Sequence, residues 1–156
     1  MKRLLLLACF LVTPTVYGYD MAIGSELEVT GSSRGSNTSL IQQTGTSNRA
    51  INVQSGYGNS ATIAQLGQSN QASIRQNAYS NEAAILQSGG YLRADITQTG
   101  ASHDATIVQS GYDKEAAINQ LGVSGAAAVL QLGGGHTPIS VTQFSRGRAS
   151  IQVIQH

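Results

Sequence analysis

The sequence predicts an all-β fold: a β-solenoid, or cross-β stack, of about five strand-turn-strand coils of 22 residues each. Three observations predict it. Glutamine recurs at Gln43, Gln54, Gln65, Gln76, Gln87, Gln98, Gln109, Gln120 and Gln131, eleven residues apart each time, and an unbroken internal period outranks every other sequence signal. Within each eleven-residue unit the constrained places are the first, third and fifth, while the second and fourth vary. A period of two describes a strand that always buries the same face. Each unit then closes on a G-x-x-N segment, in which glycine permits positive φ and asparagine bonds nearby backbone.

Aligned on their glutamines, the units read A-x-I-x-Q-x-G-x-x-N-x, and residues 61–71, ATIAQLGQSNQ, are a clean copy. The first place holds Ser39 and then alanine from Ala50 to Ala127. The third holds the candidate apolar core, Ile41, Ile63, Ile74, Ile85, Ile96, Ile107, Ile118 and Val129, with Asn52 the misfit. Turn candidates are Gly45 with Asn48, Gly56 with Asn59, Gly67 with Asn70, and Asn81, where Ala78 replaces the glycine. A helix would need its constrained places three and four apart and would be weakened by the recurring glycine. Each unit therefore reads as a strand of five or six residues plus a tight turn.

Two such strands make one coil, so residue i lies above residue i+22, about 4.8 Å away. Gln43, Gln65, Gln87, Gln109 and Gln131 form one column, and Gln54, Gln76, Gln98 and Gln120 the facing one. A buried amide left unpaired costs roughly 1–3 kcal/mol. Stacked in register, each amide donates to the next, as in the amide ladders of cross-β assemblies.

In chain order, residues 1–18 read as a secretory signal: Lys2 and Arg3, an apolar run from Leu4 to Val12, and small Val16 and Gly18 before the cleavage. The run is too short to span a membrane. Cys9, the only cysteine, leaves with that signal, so no disulfide is expected afterwards. Its surroundings only faintly match a lipidation site. Residues 19–38 fall outside the period and include the flexible stretch Gly31 to Ser36, which suits a targeting tail.

The regular solenoid occupies 39–137, as coils 39–60, 61–82, 83–104 and 105–126 and the start of a fifth. In the first coil Ile51 and Val53 flank Asn52, so either that strand rotates or its outer face is greasy. Tyr57 and Tyr79, 22 apart, should stack, Arg93 and Glu115 should pair, and Glu82 and Asp104 should repel weakly. From Pro138 the register slips to twelve-residue steps at Gln143 and Gln155, so 138–156 reads as an irregular part of the fifth repeat. Ala149 to Gln155 still alternates as a last strand, and Arg146 and Arg148 offer a surface for an anionic partner.

Seven basic against eight acidic residues remain after residue 18, which speaks against nucleic acid. The recurring places hold alanine, isoleucine, glutamine, glycine and asparagine, none of which titrates. No catalytic residue, cofactor or metal is therefore expected, and the protein is not read as an enzyme. His103 and His136 read as lone surface histidines. Calcium-binding β-rolls need G-G-x-G-x-D turns, and this repeat lacks that aspartate.

The pattern Gln43-Thr44-Gly45, Asn48, Ala50, Gln54, repeated as Gln65-Leu66-Gly67, Asn70, Ala72, Gln76, resembles the curlin family of bacterial amyloid-fibre subunits over residues 37–156. Tyr19 to Ala22, Gln76 to Asn81 and Ala149 to Gln155 bring it nearer the family's minor, nucleating subunit than its major one. The drift of the serine place to His103 and Gly125 departs from the family pattern. The resemblance implies an amyloid-competent fold and a structural role: templating the major subunit into extracellular fibres for adhesion and biofilm. It also implies self-association, export through the curli outer-membrane secretion channel with its accessory factors, and residence at the cell's outer surface. Physics supplies a route, since a solenoid end is a row of unpaired backbone groups that a second chain of equal period can extend. A preformed coil also removes the loop-closure entropy of the first layer. The alternatives are the major fibre subunit itself, or a monomeric secreted β-solenoid such as an adhesin. An ice-binding array would need one residue type outside, whereas Thr62, Ser73, Ala84 and Asp95 are mixed.

Overall fold

The computed structural model describes residues 37–156. The expected signal, 1–18, and nearly all of the expected targeting segment, 19–38, lie outside the described residues.

Seven nine-residue strands follow one another: β1 (Thr38–Thr46), β2 (Arg49–Tyr57), β3 (Ser60–Gln68), β4 (Gln71–Tyr79), β5 (Glu82–Gly90), β6 (Arg93–Ala101) and β7 (Asp104–Tyr112). Two longer strands close the chain, β8 (Glu115–Gln131) and β9 (Ile139–Gln155). Every pairing is parallel, and from β1 through β8 each residue sits against the one 22 further on, as Ile41 does against Ile63 and Ile96 against Ile118. Odd strands stack on odd, even on even. The first half of β8 pairs with β6 and its second half with β7, so β8 joins the two stacks. The result is a parallel, two-sheet β-solenoid of about 22 residues per turn.

Strands are longer than the five or six residues the sequence suggests, because the glycine lies within each strand rather than after it. Gly67, Gly89 and Gly100 adopt φ of 120°, 134° and 123° without breaking the rung-to-rung pairing. A Cβ there would collide with the backbone carbonyl of the glycine one coil on, so close stacking of the bends excludes any side chain. The corner itself is two residues, such as Ser69 and Asn70, the first in the left-handed region at φ 56°. Ala78, at φ 112°, takes the glycine conformation with a Cβ attached.

The core is a double column of alanine and isoleucine. Ile63, Ile74, Ile85, Ile96 and Ile107 are fully buried, and Ala61 to Ala127 at the first place nearly so. Ile41, in the outermost coil, is half-buried. Asn52 resolves the ambiguity of the first coil. It aligns with Ile74, so β2 has not rotated, and Val53 is left 54% exposed on a greasy outer face. Its Nδ2 donates to Ser39 Oγ across 2.7 Å, while its Oδ1 is buried without a partner among the described residues.

The slipped register beyond Pro138 does not end the stack. β9 lies along the whole of β8, offset by 23 residues from Ala116↔Ile139 to Val123↔Arg146 and by 24 from Gly125↔Ala149 to Gln131↔Gln155. The first extra residue is absorbed by the connection after Gln131, which contains Gly133 to Gly135, and the second by an irregularity opposite Val123 to Gly125. Pro138 sits just before β9, where no ladder donor is needed.

Candidate functional site

The inward glutamines form two continuous chains of amide hydrogen bonds. In one, Gln43 Nε2 donates to Gln65 Oε1 at 2.6 Å, and the links run on through Gln87 (2.8 Å), Gln109 (2.9 Å) and Gln131 (2.8 Å) to Gln155 (3.1 Å). In the other, Gln54 donates to Gln76 (2.8 Å), then Gln98 (3.0 Å), Gln120 (3.0 Å) and Gln143 (2.8 Å). From Gln54 to Gln131 the second N–H of each amide is also used. Gln98 Nε2 donates to the Glu82 carbonyl at 2.7 Å, and Gln65 Nε2 to that of Arg49 at 3.1 Å, where the facing strand begins. Each of these amides thus bonds to the coil beyond and to the opposite sheet. Satisfied this way, a buried polar group fixes register instead of opposing burial.

Two further polar columns, one at each corner of the coil, lie at the tenth place, read from sequence as a turn. Asn59, Asn70 and Asn81 are almost wholly buried. Asn59 Oδ1 accepts from the Asn81 backbone N–H at 3.1 Å, and its Nδ2 donates to the Ala78 carbonyl at 3.1 Å. Asn48, at the exposed end, makes the same pair of bonds to Asn70 N–H and the Gly67 carbonyl. Asparagine therefore holds one corner to the corner of the next coil, beyond any bond to its own turn.

His103 continues the column of Asn59 and Asn81 and corrects its reading as a surface histidine, because it is 1% exposed. Its Nδ1 accepts from Gly125 N–H at 3.2 Å, which requires the hydrogen on Nε2, and Nε2 faces the Gly122 carbonyl at 3.0 Å. In the other corner column Leu92 and Lys114 follow Asn70, and Lys114 Nζ, also buried, donates to the Gly135 carbonyl at 2.6 Å. His136 is exposed. Sequence reasoning aligned Asn59, Asn81 and His103 as one recurring place but missed that this place is buried and bonded from coil to coil.

On the surface, Tyr57 and Tyr79 stack with ring centroids 4.8 Å apart. Arg93 reaches Asp95 at 3.3 Å and Glu115 only at 3.9 Å, so its nearer partner is on its own strand. Glu82 and Asp104 are neighbours across β5 and β7. Arg146 and Arg148 are exposed at the irregularity of β9. Among the described residues no three histidine, cysteine or acidic side chains gather where a metal could bind.

The two ends of the stack differ. Among the described residues, β1 and β2 carry no partner on their outer edges, nor does β9 on its far side. All the Gln-to-Gln bonds point from the coil of β1 towards that of β9. The first coil therefore presents Oε1 of Gln43 and Gln54 without a donor among the described residues, and β9 presents amide N–H groups of Gln143 and Gln155.

A parallel β-solenoid with continuous amide ladders and open strand edges belongs to the class of proteins that can be lengthened by stacking. A family model, the curlin associated repeat, matches residues 53–77, 67–100, 78–111 and 92–122. The chain thus carries curlin repeats, which support its placement in the curlin family and suggest a structural subunit of extracellular curli fibres that self-associates. A search of curated proteins found no match.

Proposed function

We propose that this chain is the minor, nucleating curlin: once secreted, it templates polymerisation of the major subunit into extracellular amyloid fibres for adhesion and biofilm. The observation that carries the reading is the contrast between its two ends. The coil of β1 and β2 keeps the unshifted 22-residue register, and among the described residues its backbone edges and the glutamine acceptors of both columns have no partner. An incoming chain of the same period can continue backbone and side-chain ladders there at once, without closing a first coil of its own. The other end carries two extra residues, an irregularity and the charges of Arg146 and Arg148, which are devices that discourage edge-to-edge growth. A homopolymer subunit needs ends that match each other. Mismatched ends suit a chain that starts a fibre and is used once in it.

Export through the curli secretion channel and its accessory factors, with residues 1–18 as signal and 19–38 as targeting segment, belongs to this proposal. So does attachment at the outer cell surface, with Arg146 and Arg148 at the end left free. The test is to add a substoichiometric amount of the chain to purified major subunit and follow thioflavin fluorescence. A shortened lag is expected. An unchanged lag, with ready fibre formation by this chain alone, would make it the major subunit instead.

A further inference from the structure

One outward-facing serine of the even sheet is buried. Along β4 the inward places are Ala72, Ile74 and Gln76, and Ser73 between them turns to the outer face, yet it is only 9% exposed. Its Oγ is buried and has no hydrogen-bond partner among the described residues. Longer side chains surround it. Ile51 stands in register one coil before it and Asp95 one coil on. Arg75 lies two places further along β4, while Arg49 and Arg93 lie two places back on β2 and β6. These six residues line one hollow. It forms because the outward column Ile51, Ser73, Asp95 dips to a small side chain at Ser73.

The three arginines are not equivalent. Arg93 is committed to carboxylates, reaching Asp95 at 3.3 Å and Glu115 at 3.9 Å. Arg49 and Arg75 have no acidic partner among the described residues. The stack gains nothing from this arrangement, since an unpaired buried hydroxyl costs free energy and cations that line one hollow repel.

We propose that the hollow is a binding site for a phosphate monoester. Arg49 and Arg75 donate paired N–H groups to its oxygens, and the Ser73 hydroxyl donates a further bond. Charge selects the class. A phosphate monoester carries about −1.5 to −2 at neutral pH, which balances two uncommitted guanidinium groups, whereas a carboxylate, a sulfate ester or a phosphodiester carries a single charge. Asp95, held by Arg93, repels a second anionic group, so the hollow takes one phosphate and not a polyanionic strand. The site lies on the side of the stack and needs only the register of β2, β4 and β6. It is therefore independent of templating at the ends.

Phosphorus NMR of phenyl phosphate titrated with the chain tests the site. Saturable binding at one site per chain is expected, with phenyl sulfate bound more weakly. Arg49→Gln and Arg75→Gln should each weaken phenyl phosphate binding about tenfold, and Ser73→Ala about threefold. Arg146→Gln with Arg148→Gln removes charge elsewhere and should leave the affinity unchanged. All these substitutions are at outward places, and circular dichroism checks that the β-structure is kept. Vesicles of phosphatidylcholine containing phosphatidic acid distinguish the source of the phosphate. Recruitment that Arg49→Gln and Arg75→Gln remove marks a lipid phosphate, and no such recruitment marks a soluble one. Absence of saturable phenyl phosphate binding, equal affinity for phenyl sulfate, or full affinity in Arg75→Gln or Ser73→Ala would overturn the inference. So would equal weakening by the Arg146 and Arg148 substitutions, which would reduce the binding to general charge attraction.

Discussion

Asn81 and His103 stand one coil apart in a single buried column, and the imidazole repeats the work of the amide. Asn81 accepts from His103 N–H and donates to the Gly100 carbonyl, while His103 accepts from Gly125 N–H and faces the Gly122 carbonyl. His103→Asn should therefore fold with stability unchanged within about 1 kcal/mol, because it restores the residue found earlier in the column. His103→Leu should lose about 1–3 kcal/mol by leaving Gly125 N–H and the Gly122 carbonyl unpaired. Urea unfolding measures both, and hydrogen exchange at the Gly125 amide should speed up only in the leucine variant.

Depth within the ladder should govern the cost of losing a glutamine. Gln98 accepts from Gln76 and donates to both Gln120 and the Glu82 carbonyl, all inside the stack. Gln98→Leu should destabilise by about 1–3 kcal/mol for each group it orphans. Gln43→Leu, at the open coil, should cost under about 1 kcal/mol but lengthen the lag of templated growth, because it removes an acceptor that an incoming amide would use. Equal loss of stability at the two sites would contradict the ladder.

The glycine bends give a matched pair. Gly89→Ala should prevent native stacking, because its φ is 134° and the added methyl meets the Gly111 carbonyl. Ala78→Gly should stabilise by about 1 kcal/mol, since alanine at φ 112° is strained there. Denaturant midpoints of the two variants should move in opposite directions.

The first coil has a polar defect that can be mended. Asn52 stands above Ile74, its Oδ1 buried with no partner among the described residues. Asn52→Ile should extend the isoleucine column and stabilise the β2 end by about 1–2 kcal/mol, despite losing the bond to Ser39. Slower hydrogen exchange of β2 amides is the readout, and faster exchange would contradict the packing.

The strict eleven-residue period made the coils, their 22-residue register, the isoleucine core and the glutamine columns legible in the sequence. What stayed hidden depended on neighbours one coil away. Asparagine forms turns and ladders alike, so Asn59 and Asn81 gave no local sign that they would be buried. A lone histidine looks like surface until the column above it is known. At the C-terminal end the slip to Gln143 and Gln155 looks disruptive on paper, yet a glycine-rich connection and one irregularity each absorb a residue, and both ladders run on.

The register itself is the claim on which all else stands, and paired spin labels test it most directly. Labels at Thr97 and Asn119, adjacent on β6 and β8, should lie about 5 Å apart at their backbones. With labelled chain diluted in unlabelled chain, that pair should show strong dipolar broadening. Labels at Thr97 and Val108, eleven residues apart but on opposite outer faces, should show little. Broadening in the second pair and not the first would contradict a 22-residue coil.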